Sequence, residues 1–331
     1  MKIDIFAHIL PPKYKEVLFK VLPIKQMKDF QNAIPSLYDL DYRFRIMDKF
    51  DDLMQVITPT MPPMEYIKDL QKAIDLSKLA NDEMAELVAK HPDRFAAGVA
   101  CLPLSSIDAA LDEIDRAVKD LKFKGIELYT PVNEKPLDSP EFMPLYEKMC
   151  QYNLPIWLHP QRMADYPDYR SEKTSRYVLY GTIGWPYETS AAMLRLVLSG
   201  TMERYPELKI ITHHAGAMIP FLEKRISLYT ASHDILLKEH HLENLRKPIN
   251  DYLKMFYADT AIYGHTAGLM CSYAYFGASH LLFGTDMPYD CQHGLQFTRD
   301  TIESVENMAI GDTEKKMIFE DNARNLLRLA I

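Results

Sequence analysis

The chain has 331 residues, 47% of them hydrophobic, and a net charge of −8. That length allows one large domain or two smaller ones, with ample apolar material for a packed core. No apolar stretch is long enough to span a membrane. The acidic balance and the lack of a basic tract exclude nucleic acid as a natural partner.

The elements follow one another in a regular alternation. Short apolar runs of strand length fall at 2–7, 55–59, 95–102, 125–129, 155–159, 209–213, 255–259 and 281–285. Continuous apolar runs of this length suit parallel strands buried on both faces. Between them lie amphipathic segments of helical length at about 65–91, 105–121, 140–152, 187–204, 217–231, 263–277 and 292–307. A last helix is expected at about 312–329, with Asp312 and Thr313 as capping residues and Glu314 in its first turn. Eight strands alternating with helices predict an α/β fold of the (β/α)8 TIM-barrel type, a single domain over 1–331 closed by a C-terminal helix. An open doubly wound sheet is the alternative. It would normally carry a Gly-rich turn after the first strand, and residues 7–13 contain no glycine.

Two connections exceed ordinary turns, 22–42 and 160–186. The second carries four Tyr and three Arg against one Lys. Its composition suits a lid or substrate wall, and also a subunit contact, because Tyr and Arg are enriched in interface cores and Lys is depleted. We therefore expect a homodimer with this loop near both the pocket mouth and the partner. No charged-then-apolar segment opens the chain, since Asp4 and His8 interrupt the first apolar run. Cys101, Cys150, Cys271 and Cys291 show no paired zinc spacing and read as reduced, buried residues. Together these features predict a cytoplasmic protein.

Four of the apolar runs end on possible metal ligands. Lys2–Ala7 leads to His8, and Pro155-Ile156-Trp157-Leu158 leads to His159. Lys209-Ile210-Ile211-Thr212 leads to His213 and His214, and Leu281–Thr285 leads to Asp286. In a parallel barrel the C-terminal strand ends converge on one face, where such enzymes place their chemistry. A divalent metal needs imidazole nitrogens and carboxylate oxygens meeting at one point with a position left open. Any one of these residues alone could be structural; four at equivalent positions favour a site. Successive side chains of a strand point to opposite sides, so at most one of His213 and His214 faces the pocket if the strand stays regular.

These residues also carry a resemblance. Ile3–Pro11, Trp157-Leu158-His159-Pro160, Gly184–Thr189, Thr212–Pro220 and Phe283–Pro288 are similar to the metal-dependent amidohydrolase superfamily. The likeness is to its branch of aminocarboxymuconate-semialdehyde and dihydroxybenzoate decarboxylases. It implies one divalent metal, usually zinc and sometimes manganese, held by His8, His159 and Asp286. It implies His214 as the catalytic histidine, favoured over His213 because Pro220 stands six residues after it, with Asp286 as ligand or proton carrier. One departure stands out: the family's first ligand position on strand one is occupied here by Phe6, which cannot bind a metal. Three protein ligands and water could suffice, another residue such as His214 could complete the shell, or the site could be weakened or metal-free. Asp4 lies on the same side as Phe6 but lower, and reads better as a buried polar residue bonded to neighbouring strands.

Phe6 and Trp185 are candidate pocket walls, and Arg45 and Arg225 candidate carboxylate-binding residues, since a guanidinium pairs with a carboxylate in two-pronged fashion. Surface placement is as reasonable for each arginine. The expected reaction is non-oxidative decarboxylation of a small unsaturated or aromatic carboxylic acid. Hydrolysis of a lactone, ester or amide would use the same ligands, as would a hydratase. A degenerate binding protein, suggested by Phe6, is the alternative outside enzymes. One barrel hosts many reactions, so fold alone does not choose the substrate.

Overall fold

The computed structural model describes residues 1–331. Three parallel strands form one sheet in the order β1 (Lys2–Ile9), β2 (Leu53–Pro59), β3 (Phe95–Gly98). Four more form a second parallel sheet, β4 (Ile126–Thr130), β5 (Ile156–Pro160), β6 (Ile210–Thr212) and β7 (Tyr257–Ala258). Isolated parallel bridges join the two. Ala100 pairs with Ile126 on one side, and Leu281 with Ala258 and Met287 with Ala7 on the other. The segment 281–287 thus sits between β7 and β1 as an eighth stave, and the architecture is the expected α/β barrel.

That eighth stave is not the regular strand predicted at 281–285. Ile5 N donates to Phe283 O at 2.9 Å and Asp286 N to Phe6 O at 3.0 Å, as a ladder requires. Between them side chains take over. Gly284 N donates to Thr260 Oγ1 and Thr285 N to Asp4 Oδ1, both at 3.0 Å. Backbone donors satisfied by side chains cost the stave its ladder but lose no buried hydrogen bond. Asp4 is fully buried, as anticipated. It accepts from Phe6 N and from the amide and hydroxyl of Thr285, cross-linking the first stave to the last.

The helices at Leu70–Lys90, Ile107–Lys119, Met143–Tyr152, Trp185–Leu198, Ile219–Leu237, Thr266–Phe276 and Leu295–Glu306 match the predicted amphipathic segments. Their inner faces meet the sheets in the largest apolar cluster, which includes Ile114, Leu145, Leu196 and Leu269. A second cluster fills the barrel itself, with Ile3, Ile5, Phe6, Val56, Trp157, Ile211 and Leu282. Ala323, Leu326 and Leu327 of the C-terminal helix Asn322–Leu327 join it and plug that interior. Trp157 is wholly buried and donates its indole N–H to Ile5 O at 2.8 Å, which identifies it as barrel core. Gly125 makes room for it, since a Cβ there would lie 2.4 Å from the indole ring.

Several expectations need correction. The C-terminal segment is split into Asp312–Lys316, a wider turn at Met317–Asp321 and Asn322–Leu327. Its N-cap is Gly311, not Asp312 or Thr313, and Glu314 folds back to accept from Gly311 N at 3.1 Å. The cysteines are free, but only Cys101 is buried; Cys150 is half-buried, and Cys271 and Cys291 are exposed. The 22–42 connection contains the helix Lys25–Asn32 and a single turn at Pro35–Leu37. No helix is long and apolar enough to cross a membrane.

Candidate metal centre

β1 and β5 each deliver a histidine from their C-terminal ends. His8 Nδ1 lies 3.0 Å from Pro59 O and 3.1 Å from Thr58 Oγ1. His159 Nδ1 lies 2.7 Å from Pro160 O. A carbonyl oxygen only accepts, so each Nδ1 carries the proton and each Nε2 keeps its lone pair for the pocket. The two rings stand 5.3 Å apart.

β6 contributes two histidines. The strand stops at Thr212, and His214, Ala215, Gly216 and Ala217 all have positive φ, between 56° and 77°. This left-handed turn ends the alternation, so the expectation that at most one histidine faces the pocket fails. Both do. His213 Nε2 lies 3.4 Å from Asp286 Oδ1 and His214 Nε2 4.0 Å from Asp286 Oδ2. Asp286, also at positive φ, completes the group, with Oδ1 3.2 Å from His8 Nε2. Tyr263 donates its hydroxyl to Asp286 Oδ2 at 2.9 Å.

The whole cluster is buried. Ligand atoms of His8, His159 and His213 lie within 4.8 Å of one another, and so do those of His213, His214 and Asp286. Buried His8 Nε2, His213 Nε2 and His214 Nδ1 have no hydrogen-bond partner. Unpartnered buried nitrogens are costly unless something binds them. Imidazoles with free Nε2 atoms around a carboxylate are the donor set of a borderline divalent cation, so the residues present fit a metal.

The electrostatics agree. Burial and the neighbouring imidazoles push His159 well below the ordinary histidine range. Burial, then the charge of His213, lowers His214 to about 3. His213 lies between two carboxylates. Burial opposes its charged form, but Asp259 and Asp286 outweigh that and raise it to about 10. Burial likewise opposes ionisation of Asp286, and the charge of His213 holds it well below the carboxylate range. An ionised Asp286 carboxylate in a closed site attracts positive charge.

Phe6 is wholly buried and stacks on His213, centroids 3.9 Å apart with 14° between planes. Trp185 is half-buried, its ring 5.7 Å from that of His159 and 6.3 Å from that of His214. Arg45 and Arg225 do not join them. Arg45 is exposed over the Tyr42 ring and Arg225 over the Tyr229 ring. On the helix Leu40–Met47 the inward arginine is Arg43, which donates to Gln55 Oε1, His8 O and Ser36 O. Two residues further on, a helix has turned by about 200°, which sends Arg45 outward.

Sequence reading missed Asp259, Tyr263 and Glu127. Asp259 could have been found by the rule that found the others, since it ends the run Phe256-Tyr257-Ala258. Glu127 is buried, its carboxyl pushed well above the ordinary range by burial. With Tyr129, Glu65, Thr60 and Cys101 it lines a small cavity of about 10 Å³, room for about one water. Tyr129 also packs on His159 at 5.0 Å, which puts that cavity beside the cluster.

A parallel barrel with a buried His/Asp cluster at its strand ends defines a class of metal-assisted enzymes. The family model described as Amidohydrolase matches residues 3–329, and the chain belongs to that family. Gamma-resorcylate decarboxylase of Polaromonas sp. (strain JS666 / ATCC BAA-500) is 32% identical over 91% of each chain. The 2-amino-3-carboxymuconate-6-semialdehyde decarboxylase of Dictyostelium discoideum is 26% identical, over 99% of this chain and 92% of its own. A solved structure of dihydroxybenzoic acid decarboxylase from Polaromonas sp. JS666, with bound manganese and the inhibitor 2-nitroresorcinol, superposes with a TM-score of 0.79. That match has 28% identity and covers 99% of this chain and 96% of the other.

Proposed function

We propose that this protein is a metal-dependent, non-oxidative decarboxylase of a small aromatic or unsaturated carboxylic acid, with a hydroxybenzoate as first candidate. The observation that carries this reading is the chain-long similarity to gamma-resorcylate decarboxylase. The buried cluster supplies the chemistry such a reaction needs. His8, His159 and Asp286 would hold the cation, with zinc our first assignment from the imidazole-rich donor set. Manganese is the ion bound in the Polaromonas structure. Such a cation supplies Lewis acidity toward a substrate hydroxyl or carboxylate.

The protein's own groups handle the proton. Asp286 is ionised and His214 neutral in this environment, so neither brings a proton of its own. Asp286 takes the proton of the substrate's hydroxyl and returns it to the ring carbon that carries the carboxylate. That carbon becomes tetrahedral, its bond to the carboxylate breaks, and the electron pair restores the ring as carbon dioxide leaves. The hydroxyl regains a proton from solvent. Tyr263 restrains Asp286 during this transfer, and His214, with an unpartnered Nδ1, is placed to hydrogen-bond the substrate. Phe6 and Trp185 form apolar walls that favour a flat ring.

The same reading takes residues 1–331 as one domain acting in the cytoplasm as a homodimer. Support for the dimer comes from exposed apolar groups on the 160–186 connection and on the helix Ile219–Leu237. Tyr177 is 86%, Tyr169 70% and Phe221 83% exposed, more than a soluble surface needs. Arg225 belongs to the same helix as Phe221 and would lie at that contact.

Carbon dioxide release from 2,6-dihydroxybenzoate, other hydroxybenzoates and carboxymuconates, measured on protein loaded with zinc or manganese, tests the reading. Turnover of at least one acid is expected. Hydrolysis of a lactone or ester panel without carbon dioxide from any acid would overturn it.

A further inference from the structure

His213 is placed as a ligand would be, and by more than proximity. Its Nδ1 is hydrogen-bonded to Asp259 Oδ2. Asp259 is itself fixed, its Oδ1 accepting from Ala215 N at 2.9 Å and Ala261 N at 3.0 Å. A carboxylate on Nδ1 sets the ring's orientation and makes Nε2 a better donor, the usual support behind a metal-binding histidine. The Phe6 ring stacked on its face removes the remaining freedom of rotation. Nε2 is buried, has no hydrogen-bond partner, and belongs to the triad with His8 and His159. His214 is different. It groups with His213 and Asp286 but not with His8 and His159, and no carboxylate holds its Nδ1.

We propose that His213 is a metal ligand, oriented by Asp259, which completes a three-imidazole and one-carboxylate shell with His8, His159 and Asp286. The adjacent histidines then divide the work: His213 holds the cation and His214 faces the substrate. Phe6 contributes no donor atom but stacks against the ligand that the first strand does not provide. This inference rests on reading the cluster as a metal centre.

The test is direct metal binding. Metal-free wild-type, His213→Ala, Asp259→Asn and His214→Ala proteins are titrated with zinc and manganese against a chromophoric chelator. Cobalt(II)-loaded samples are compared by visible absorption. His213→Ala is expected to weaken binding at least 100-fold and to change the cobalt spectrum. Asp259→Asn should weaken binding by about 10–100-fold, as loss of an outer carboxylate does. His214→Ala should leave affinity and spectrum as they are. Wild-type affinity and spectrum in His213→Ala would overturn the proposal. If that variant does not fold, unchanged affinity in Asp259→Asn would do so instead. Absence of metal binding in wild type would overturn both this inference and the metal reading beneath it. Metal binding that depends on His213 without carbon dioxide release would support this inference and sink only the decarboxylase.

Discussion

Phe6, one residue, decides how apolar this site is and how many donors β1 can offer. Phe6→His adds an imidazole beside His8 and should tighten zinc or manganese binding about tenfold, ~1.4 kcal/mol. Unchanged dissociation constants for both ions would show that Phe6 does not face the centre. His214→Asn removes a group placed on the substrate side. It should lower kcat by on the order of 10²-fold, the cost of losing a contact that positions the substrate, while metal content stays at the wild-type level. Glu65 makes a prediction about pH. Burial raises its carboxyl to about 7, against the hydrogen bond from Leu104 N. The folded state therefore keeps a proton that the unfolded state gives up near 4.5, the ordinary glutamate value. The stabilisation is complete below that value and is lost as pH rises to about 7, by on the order of 3 kcal/mol. Urea midpoints at pH 5 and pH 8 should differ less in Glu65→Gln than in wild type; an equal difference would refute the assignment.

Among the elements, the turn 213–217 matters most, because it converts the end of β6 from an alternating strand into a platform for two histidines. Backbone held in left-handed φ is found where function over-determines it. Gly216 is the tightest point, at φ 77°, where a Cβ would meet Phe276 at 2.5 Å. Gly216→Ala should cost about 1–3 kcal/mol in urea denaturation and lower activity by displacing His214. Full stability in that variant would mean the turn relaxes freely. The eighth stave shows the same principle: Asp4, Thr260 and Thr285 replace its ladder bonds and leave Asp286 free to turn into the site.

At the scale of the whole molecule, the exposed side chains of Tyr177, Tyr169 and Phe221 predict association. Light scattering at micromolar concentration should give twice the chain mass, and Phe221→Glu with Leu228→Glu should move it toward the monomer. A monomeric wild type would leave the 160–186 segment as a cover for its own barrel and nothing more.

The sequence by itself determined the barrel and most of its candidate site. Buried parallel strands must be apolar along their whole length, so each announces its position, and the polar residue that ends it stands out. His8, His159 and Asp286 were legible for that reason, and Asp259 obeyed the same rule without being noticed. Tertiary structure alone decided the rest. Which arginine of Arg43 and Arg45 turns inward depends on where the helix docks, a phase that composition does not carry. That His213 and His214 both face the centre depends on β6 stopping at Thr212 and curling left-handed. The pairing of Asp259 with His213, 46 residues apart, exists only because β7 lies beside β6. Local pattern encodes which face of an element is buried; the partners across that face are set by how the staves are brought together.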